Sequence, residues 1–275
     1  MTKGKISKFF VQYLPKYFRG RKTKVGIWRI VKAILYKLKT GVQWKELPMT
    51  MFFGDIKYSY QSVYYHFNKW SQTGVWERLY IELIKGNKTK LDMSIVNLDG
   101  THTTAKRGGQ RVGYQGRKRA KTTNILIVAD KNGLVVGWSP PISGEHHDSY
   151  ELKKTAQKIF DNMQSNGLSC DGLFLNADAG FDVKEFKQMC ESRGIIPNVD
   201  KNVRRRQTDS EDQTYIFDNE LYKNRFTIEQ LNAWIDGYRT LLIRHEVKMS
   251  NWLSFHCLAF ASIFIRKSFM LTSYF

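Results

Sequence analysis

Three acidic side chains, far apart along the chain, have neighbours that suit them to hold a cation. Asp99 closes the strand-like run in NLDGTHT, and Asp178 closes another in LNADAGF. Both follow apolar residues, so both strands are expected to be central, with the acids emerging at carboxyl ends, where open α/β sheets bind ligands. Gly100 and Gly180 leave room for close approach. The third acid, Glu229, falls in LYKNRFTIEQLNAWIDGYRTLLIRHE, which reads as one helix over Leu221–Glu246. Ile228, Leu231, Ile235, Tyr238 and Leu242 recur at spacings of three and four, the buried stripe of an amphipathic helix. Arg225, Glu229, Asn232, Asp236 and Arg239 form a second stripe, rotated from the first by about 100°. Glu229 is therefore expected beside the core face. Three such carboxylates are what metal-dependent phosphoryl transfer requires, because Mg²⁺ takes oxygen ligands and two ions about 4 Å apart can serve both the attacking and the leaving oxygen.

Each acid also has a plainer reading. Asp before Gly is an ordinary turn signal, and a helical Glu is usually solvated. The combination of the three contexts selects the chemical reading.

The elements that must position these residues can be traced along the chain. Its 275 residues are 42% hydrophobic and 25% charged, ordinary values for a folded protein. The net charge of +19 is not ordinary. Residues 1–90 hold 19 Lys/Arg against 4 Asp/Glu, and the remainder holds 25 against 21. A basic front end on a nearly balanced body points to nucleic acid; a merely solubilising basic surface is the alternative. That front end reads as helical, with helices from Ile27 to Leu38, stopped by Thr40-Gly41, from Ser59 to Ser71, and from Val75 to Ile84. The expected organisation is a helix-turn-helix-like domain over 1–88 and a catalytic domain over 89–275, joined at GNKTK. After this linker the period changes. SIVNLD is a strand, NILIVADKNGLVVGW is a hairpin turning at Lys131-Asn132-Gly133, and GLFLNAD and IIPNV are further strands. Helices are expected from Asp148 to about Gln164 and over DVKEFKQMCESRG. The fold class is α/β, a mixed sheet flanked by helices.

Asp182 with Glu185 reads as a capping box. His146-His147-Asp148 could ligate a metal, but adjacent histidines on an extended segment point apart, and Asp148 with Glu151 reads as a helix cap. Glu246 lies too far from Glu229 to share an ion. Lys106, Arg107, Arg111, Arg117, Lys118, Arg119 and Lys121 form a run without acids, with four interspersed glycines and Tyr114 available for stacking on a base. This run is expected to track phosphates, or else to be a solvated hairpin. Arg204–Arg206 is a weaker second candidate. Cys170, Cys190 and Cys257 are too scattered for a disulfide framework or a cysteine zinc site. No secretory signal is read at the start. Trp252–Ile265 is too short to cross a bilayer and reads as a buried helix ending at Arg266 and Lys267. A cytoplasmic protein is expected.

These motifs together resemble the DDE transposases of bacterial insertion sequences, in the IS4/IS5 group. GVQWKELP and VYYHFNKWSQTGVWERL resemble that family's helical N-terminal domain. LDGTHTTAKRGG resembles its first catalytic block and LNADAGFD the second. Tyr222, Arg225 and Glu229 meet the Tyr-(2)-Arg-(3)-Glu spacing of the third. One departure is that the lysine expected seven residues after the glutamate is Asp236 here; the nearest cation is Arg239. The resemblance implies an RNase H-like core and a triad of Asp99, Asp178 and Glu229 holding two Mg²⁺ or Mn²⁺ ions. It implies a nucleoid-associated enzyme that binds the terminal inverted repeats of its element as a homodimer, cleaves the DNA and transfers the strand. Arg225 would neutralise the scissile phosphate or orient Glu229, and Tyr222 would contact DNA; either Arg239 takes over the missing lysine's contact to DNA or that contact is absent. The alternatives are an RNase H-fold nuclease without strand transfer and a catalytically inactive, DNA-binding repressor.

Overall fold

The computed structural model describes residues 1–15, 23–201 and 217–269. Along the chain run α1 (Lys3–Phe9), α2 (Ile27–Thr40), α3 (Met49–Phe53), α4 (Tyr60–Gln72) and α5 (Val75–Lys85). Then come β1 (Ile95–Ala105), β2 (Gly113–Gln115), β3 (Ala120–Asp130), β4 (Val135–Trp138), β5 (Ile142–Ser143), α6 (Leu152–Ser165), β6 (Phe174–Ala177), α7 (Lys184–Glu191) and β7 (Ile196–Val199). The last elements are α8 (Asn219–Tyr222), α9 (Phe226–Asp236), α10 (Arg239–Leu242) and α11 (Met249–Ser268). The residues gather into two units, one of Met1–Gly86, Ala105–Gln110 and Trp234–Phe275, the other of Asn87–Thr104 and Arg111–Ala233. The first of these is the helical unit; its first segment ends at Gly86, and it also takes in residues 105–110 and 234–269.

In the helical unit, Ile30, Val31, Ile34, Leu35 and Leu38 of α2 are fully buried. Their helical spacing is the apolar stripe that tertiary packing needs. Gly41 ends α2 in the left-handed region at φ 70°, where only glycine avoids a steric penalty. The Ser59 hydroxyl accepts from Ser62 N at 3.3 Å and caps α4. Helix α11 is buried nearly all round, from Trp252 to Ile265, with Phe255 stacked on Phe67 of α4 at 4.3 Å between ring centroids. No helix among the described residues is long and apolar enough to cross a membrane.

The single helix expected over Leu221–Glu246 is broken. After α8, the residues Lys223–Arg225 form one 3₁₀ turn, α9 stops at Asp236, and Tyr238 is extended (φ −93°, ψ 96°). Gly237 makes continuation of the helix costly, and the break resets the phase. Ile228, Leu231, Ile235 and Tyr238 are buried as expected, but Leu241 takes the next buried place and Leu242 is 49% exposed. Arg239 therefore sits on α10 and not on the helix of Glu229.

The second unit is built on a mixed sheet. β3 lies antiparallel to β1, from Val96↔Asp130 to Thr104↔Thr122, and carries β2, β4 and β5, also antiparallel. On the other side of β1, β6 and then β7 pair in parallel. Helices α6 and α7 occupy the connections that enter β6 and β7. Three antiparallel strands (β4–β3–β1) followed by two parallel ones make the RNase H-like sheet. The hairpin turns where expected, because Asp130 Oδ1 accepts from Asn132 N at 3.0 Å and Leu134 N at 2.7 Å while Gly133 takes φ 72°.

Two expected helix caps are not formed. α7 begins after Val183 with no side-chain cap, since Asp182 is held by Lys187 at 2.5 Å. α6 begins after Glu151, which sits at φ 46° and caps nothing. The carboxylate of Asp148 is engaged elsewhere.

Candidate active site

Asp99, Asp178 and Glu229, the three acids expected to act together, all belong to the mixed-sheet unit. Asp99 does not end its strand: β1 continues to Ala105, because β3 pairs with it as far as Thr104. Parallel pairing with β6, however, stops at Leu98↔Ala177, so Asp99 and Asp178 are each the first residue beyond that pairing. There the strands' carboxyl ends leave room for side chains. Asp178 opens a 3₁₀ turn over Ala179–Phe181 and accepts from Gly180 N at 2.8 Å, so its turn role and its place in the site coexist.

Asp99 is held on several sides. Its Oδ1 accepts from Gly100 N at 2.9 Å and its Oδ2 from Asn232 Nδ2 at 3.0 Å. Burial pushes its carboxyl up to about 6; Arg225 opposes the shift, and the charges of Asp178 and Asp148 add to it. The Arg225 side chain is 9% exposed, its guanidinium lies 5.7 Å from the Tyr222 ring centroid, and its Nη1 is buried with no hydrogen-bond partner. Burial raises the Tyr222 hydroxyl pKa, against the charge of Arg225.

Glu229 lies on α9 with its side chain exposed. Asn232, three residues later, occupies the same helix face one turn on. Its bond to Asp99 brings that face to β1. No three His, Cys, Asp or Glu side chains among the described residues stand close enough together to hold a metal ion in this conformation. Asp178 stands near enough for its charge to act on Asp99, whereas Glu229 is tied to them only through its helix, three residues before Asn232.

Asp148, expected as a helix cap, belongs to this group. Its Oδ1 accepts from Asn124 Nδ2 at 2.5 Å and faces His102 Nε2 at 3.5 Å, and a Cβ on Gly100 would collide with its carboxylate. Burial disfavours its charge, but His102, Asn124 and Arg117 outweigh that and lower its pKa. Asp148 thus keeps its charge while Asp99 holds a proton more readily. The adjacent His147 turns to Arg117, 3.4 Å from Nδ1. The sequence signal for Asp148 is an isolated acid after two histidines, a pattern that local capping also explains. Asn232 shares the stripe of Glu229, but nothing in the sequence alone points to its bond with Asp99.

Arg111, Arg117, Lys118, Arg119 and Lys121 are all exposed around β2 in the mixed-sheet unit, with Tyr114 59% exposed. Arg111, two residues before β2, and Arg119, immediately before β3, adopt positive φ, 57° and 47°. Lys118 Nζ donates to His102 O at 3.2 Å. Lys106, Arg107 and Arg239 are exposed in the helical unit. Arg204–Arg206 lies outside the described residues. Cys170, Cys190 and Cys257 are buried free thiols.

Comparison with known proteins bears on this arrangement. Residues 90–263 match a family model described as the transposase DDE domain, and residues 6–80 match one for a transposase of the IS4/5 family. No curated protein matches. Among solved structures, a paired-end complex of Mos1 transposase with the left transposon end is 9% identical, with a TM-score of 0.29, covering 82% of this chain and 83% of that one. A pre-cleavage Mos1 transpososome is 11% identical at the same TM-score, covering 95% and 83%. A Mos1 mariner paired-end complex with Mn is 10% identical, again at 0.29, covering 93% and 83%. Likeness at that level carries no weight beside the DDE-domain match, which spans more than half of the chain. The chain belongs to the transposases with a DDE domain, and its residues 6–80 are similar to those of the IS4/5 family.

Proposed function

We propose that this transposase binds the terminal inverted repeats of its own element, cleaves the DNA there to release a 3′-hydroxyl, and joins that hydroxyl to target DNA. Asp99, Asp178 and Glu229 are the residues that would hold two Mg²⁺ or Mn²⁺ ions. The observation that carries the reading is the state of Asp99. It is half-buried beside two like charges, Asp178 and Asp148, and its carboxyl is raised to about 6. A divalent cation would relieve that crowding. Nearby, Asn232 Oδ1 and Asn124 Oδ1 are buried acceptors with no donor. Water on a hydrated cation supplies such donors, so the oxygen-rich residues fit the group.

When bound, the ions would activate the attacking oxygen and stabilise the leaving one. The chain's own residues do the remainder. Asn232 fixes the rotamer of Asp99, and Gly100 N holds the other oxygen. The unbonded Nη1 of Arg225 is available to a phosphate oxygen, a charge-assisted contact. Both steps are in-line displacements that need no covalent enzyme intermediate. Joining two element ends calls for two copies of the chain, so the acting form is a homodimer on DNA.

The test is cleavage and joining of a duplex ending in the inverted repeat that flanks the coding region. Joined products that need Mg²⁺ and vanish in Asp99→Ala and Glu229→Ala support the reading. Nicks without joining mean a nuclease, and DNA binding without either means a repressor.

A further inference from the structure

The three parallel strands share a second pattern beneath the acids. The register sets Asn97 of β1 against Asn176 of β6, and Asn176 against Asn198 of β7. All three side chains are buried, at 0%, 0% and 1% exposure. Asn198 Nδ2 donates to Asn176 Oδ1 at 2.9 Å, and Asn176 Nδ2 donates to Asn97 Oδ1 at 3.1 Å. The amides thus form a ladder across the sheet. Each also reaches the segment that carries the third catalytic block. Asn198 exchanges bonds with Asp218 N (2.9 Å) and Asp218 O (3.0 Å). Asn176 donates to Leu221 O at 2.9 Å. Asn97 donates to Asn224 Oδ1 at 2.9 Å and Thr227 Oγ1 at 3.0 Å.

The contacted residues, Asp218, Leu221, Asn224 and Thr227, are three apart. A helical segment rises about 4.5 Å in three residues, close to the spacing of about 4.8 Å between neighbouring strands. The α8–α9 segment therefore crosses the sheet at one strand per three residues, and each strand meets it with one amide. On every one of these strands the residue two places on is acidic: Asp99, Asp178 and Asp200. Period-two alternation puts each acid on the same face as its asparagine. Asp200 N bonds to Ala177 O at 3.3 Å, which continues the register one step beyond β7.

We infer that Asn97, Asn176 and Asn198 are positioning residues, a register ladder that sets where Arg225 and Glu229 stand relative to Asp99 and Asp178. This rests on the transposase reading above. An apolar contact between helix and sheet tolerates sliding by a fraction of a turn. A chain of buried amides does not, since any slip leaves buried donors and acceptors unbonded. The ladder touches neither DNA nor metal; it acts through the acids.

The experiment compares full-length Asn176→Leu with Leu175→Ala, a cavity variant on the same strand but off the ladder. Both are measured for Mn²⁺ binding by calorimetry and for the Mn²⁺ concentration that half-saturates nicking of the repeat duplex, at a temperature where each is fully folded. Asn176→Leu should weaken Mn²⁺ binding and raise the half-saturating concentration about tenfold or more, the usual scale for loss of an outer-shell partner. Leu175→Ala should leave both near wild type. If Asn176→Leu does not fold, Asn198→Ala at the end of the ladder replaces it. Ladder variants that match Leu175→Ala on both readouts overturn the inference while leaving the transposase reading intact. A wild-type chain that neither binds Mn²⁺ nor nicks the duplex overturns both.

Discussion

Asn232 donates its amide to Asp99 Oδ2 at 3.0 Å, a bond across 133 residues of sequence that joins α9 to β1 one helical turn beyond Glu229. It converts sequence spacing on a helix into spatial proximity at a strand. Replacing Asn232 with Leu removes the donor while keeping the volume similar. Because the residue is half-buried, stability should fall by only about 1 kcal/mol, the net worth of one hydrogen bond. Mg²⁺-dependent cleavage should fall by about tenfold to a hundredfold, as for other outer-shell partners. Thermal unfolding and single-turnover cleavage measure the two effects; equal small losses in both would deny the bond a functional role.

The proton on Asp99 gives a pH signature. Its folded pKa, about 6, lies above the ordinary 3.8. The folded state therefore binds this proton more tightly than the unfolded state does. Below about pH 4 both states are protonated and the group contributes nothing. Between about 4 and 6 the unfolded state loses its proton first and metal-free stability falls, by about 3 kcal/mol in total, with no further change above. Asp99→Asn should flatten that slope and make the metal-free protein more stable than wild type at pH 7, while abolishing cleavage. Mg²⁺ should stabilise wild type most above pH 6 and the variant little. Melting curves across pH, with and without Mg²⁺, decide it; a variant less stable than wild type at pH 7 would sink the assignment.

Gly100 keeps room for the Asp148 carboxylate, with which a Cβ at this position would collide. Gly100→Ala should displace Asp148 from Asn124 and His102 at a cost of about 1–3 kcal/mol, typical of overpacking. Asp148→Asn removes a charge that helps keep Asp99 protonated. Its effect should appear as a downward move in the Asp99 titration midpoint, read by carboxyl NMR. An unmoved midpoint would show that Asp148 does not act on Asp99.

Much of the fold could be read from hydrophobic period alone. Strands at SIVNLD, NILIVAD and GLFLNAD and helices at Ile27 and Val75 stand out because one face is apolar and turn residues bound them. The stop at Gly41 and the hairpin at Gly133 follow from positive φ. What escaped were features set by tertiary contact. The apolar pattern of residues 221–246 fits a continuous helix; Gly237 is the one local sign against it, and the packing of Tyr238 and Leu241 shows the break after Asp236. Asp148 carries a capping signature, yet Asn124, brought near by the β3–β5 pairing, takes its oxygen. The asparagine ladder is visible in sequence only as the recurrence of Asn-x-Asp in NLD, NAD and NVD. A polar residue inside an apolar strand looks like a weak strand position until its partners on neighbouring strands are known.

Binding to DNA should depend steeply on salt. Residues 1–90 carry 19 Lys/Arg against 4 Asp/Glu, and Arg111, Arg117, Lys118, Arg119 and Lys121 are exposed around β2. Each phosphate that such a surface neutralises releases condensed counterions, so affinity for duplex DNA should drop by roughly 10³-fold or more between about 50 and 200 mM salt if six or more phosphates are contacted. Replacing Arg117, Lys118 and Arg119 together with Ala should flatten the slope of log affinity against log salt by up to about three units, since each lost phosphate contact removes about one. Because these contacts reach backbone and not base edges, the loss should be similar for repeat and unrelated duplexes. Fluorescence anisotropy over a salt series measures both quantities. An unchanged slope in the triple variant would remove the β2 loop from the DNA-binding surface, and a loss confined to the repeat duplex would make it a reader of sequence instead of a phosphate track.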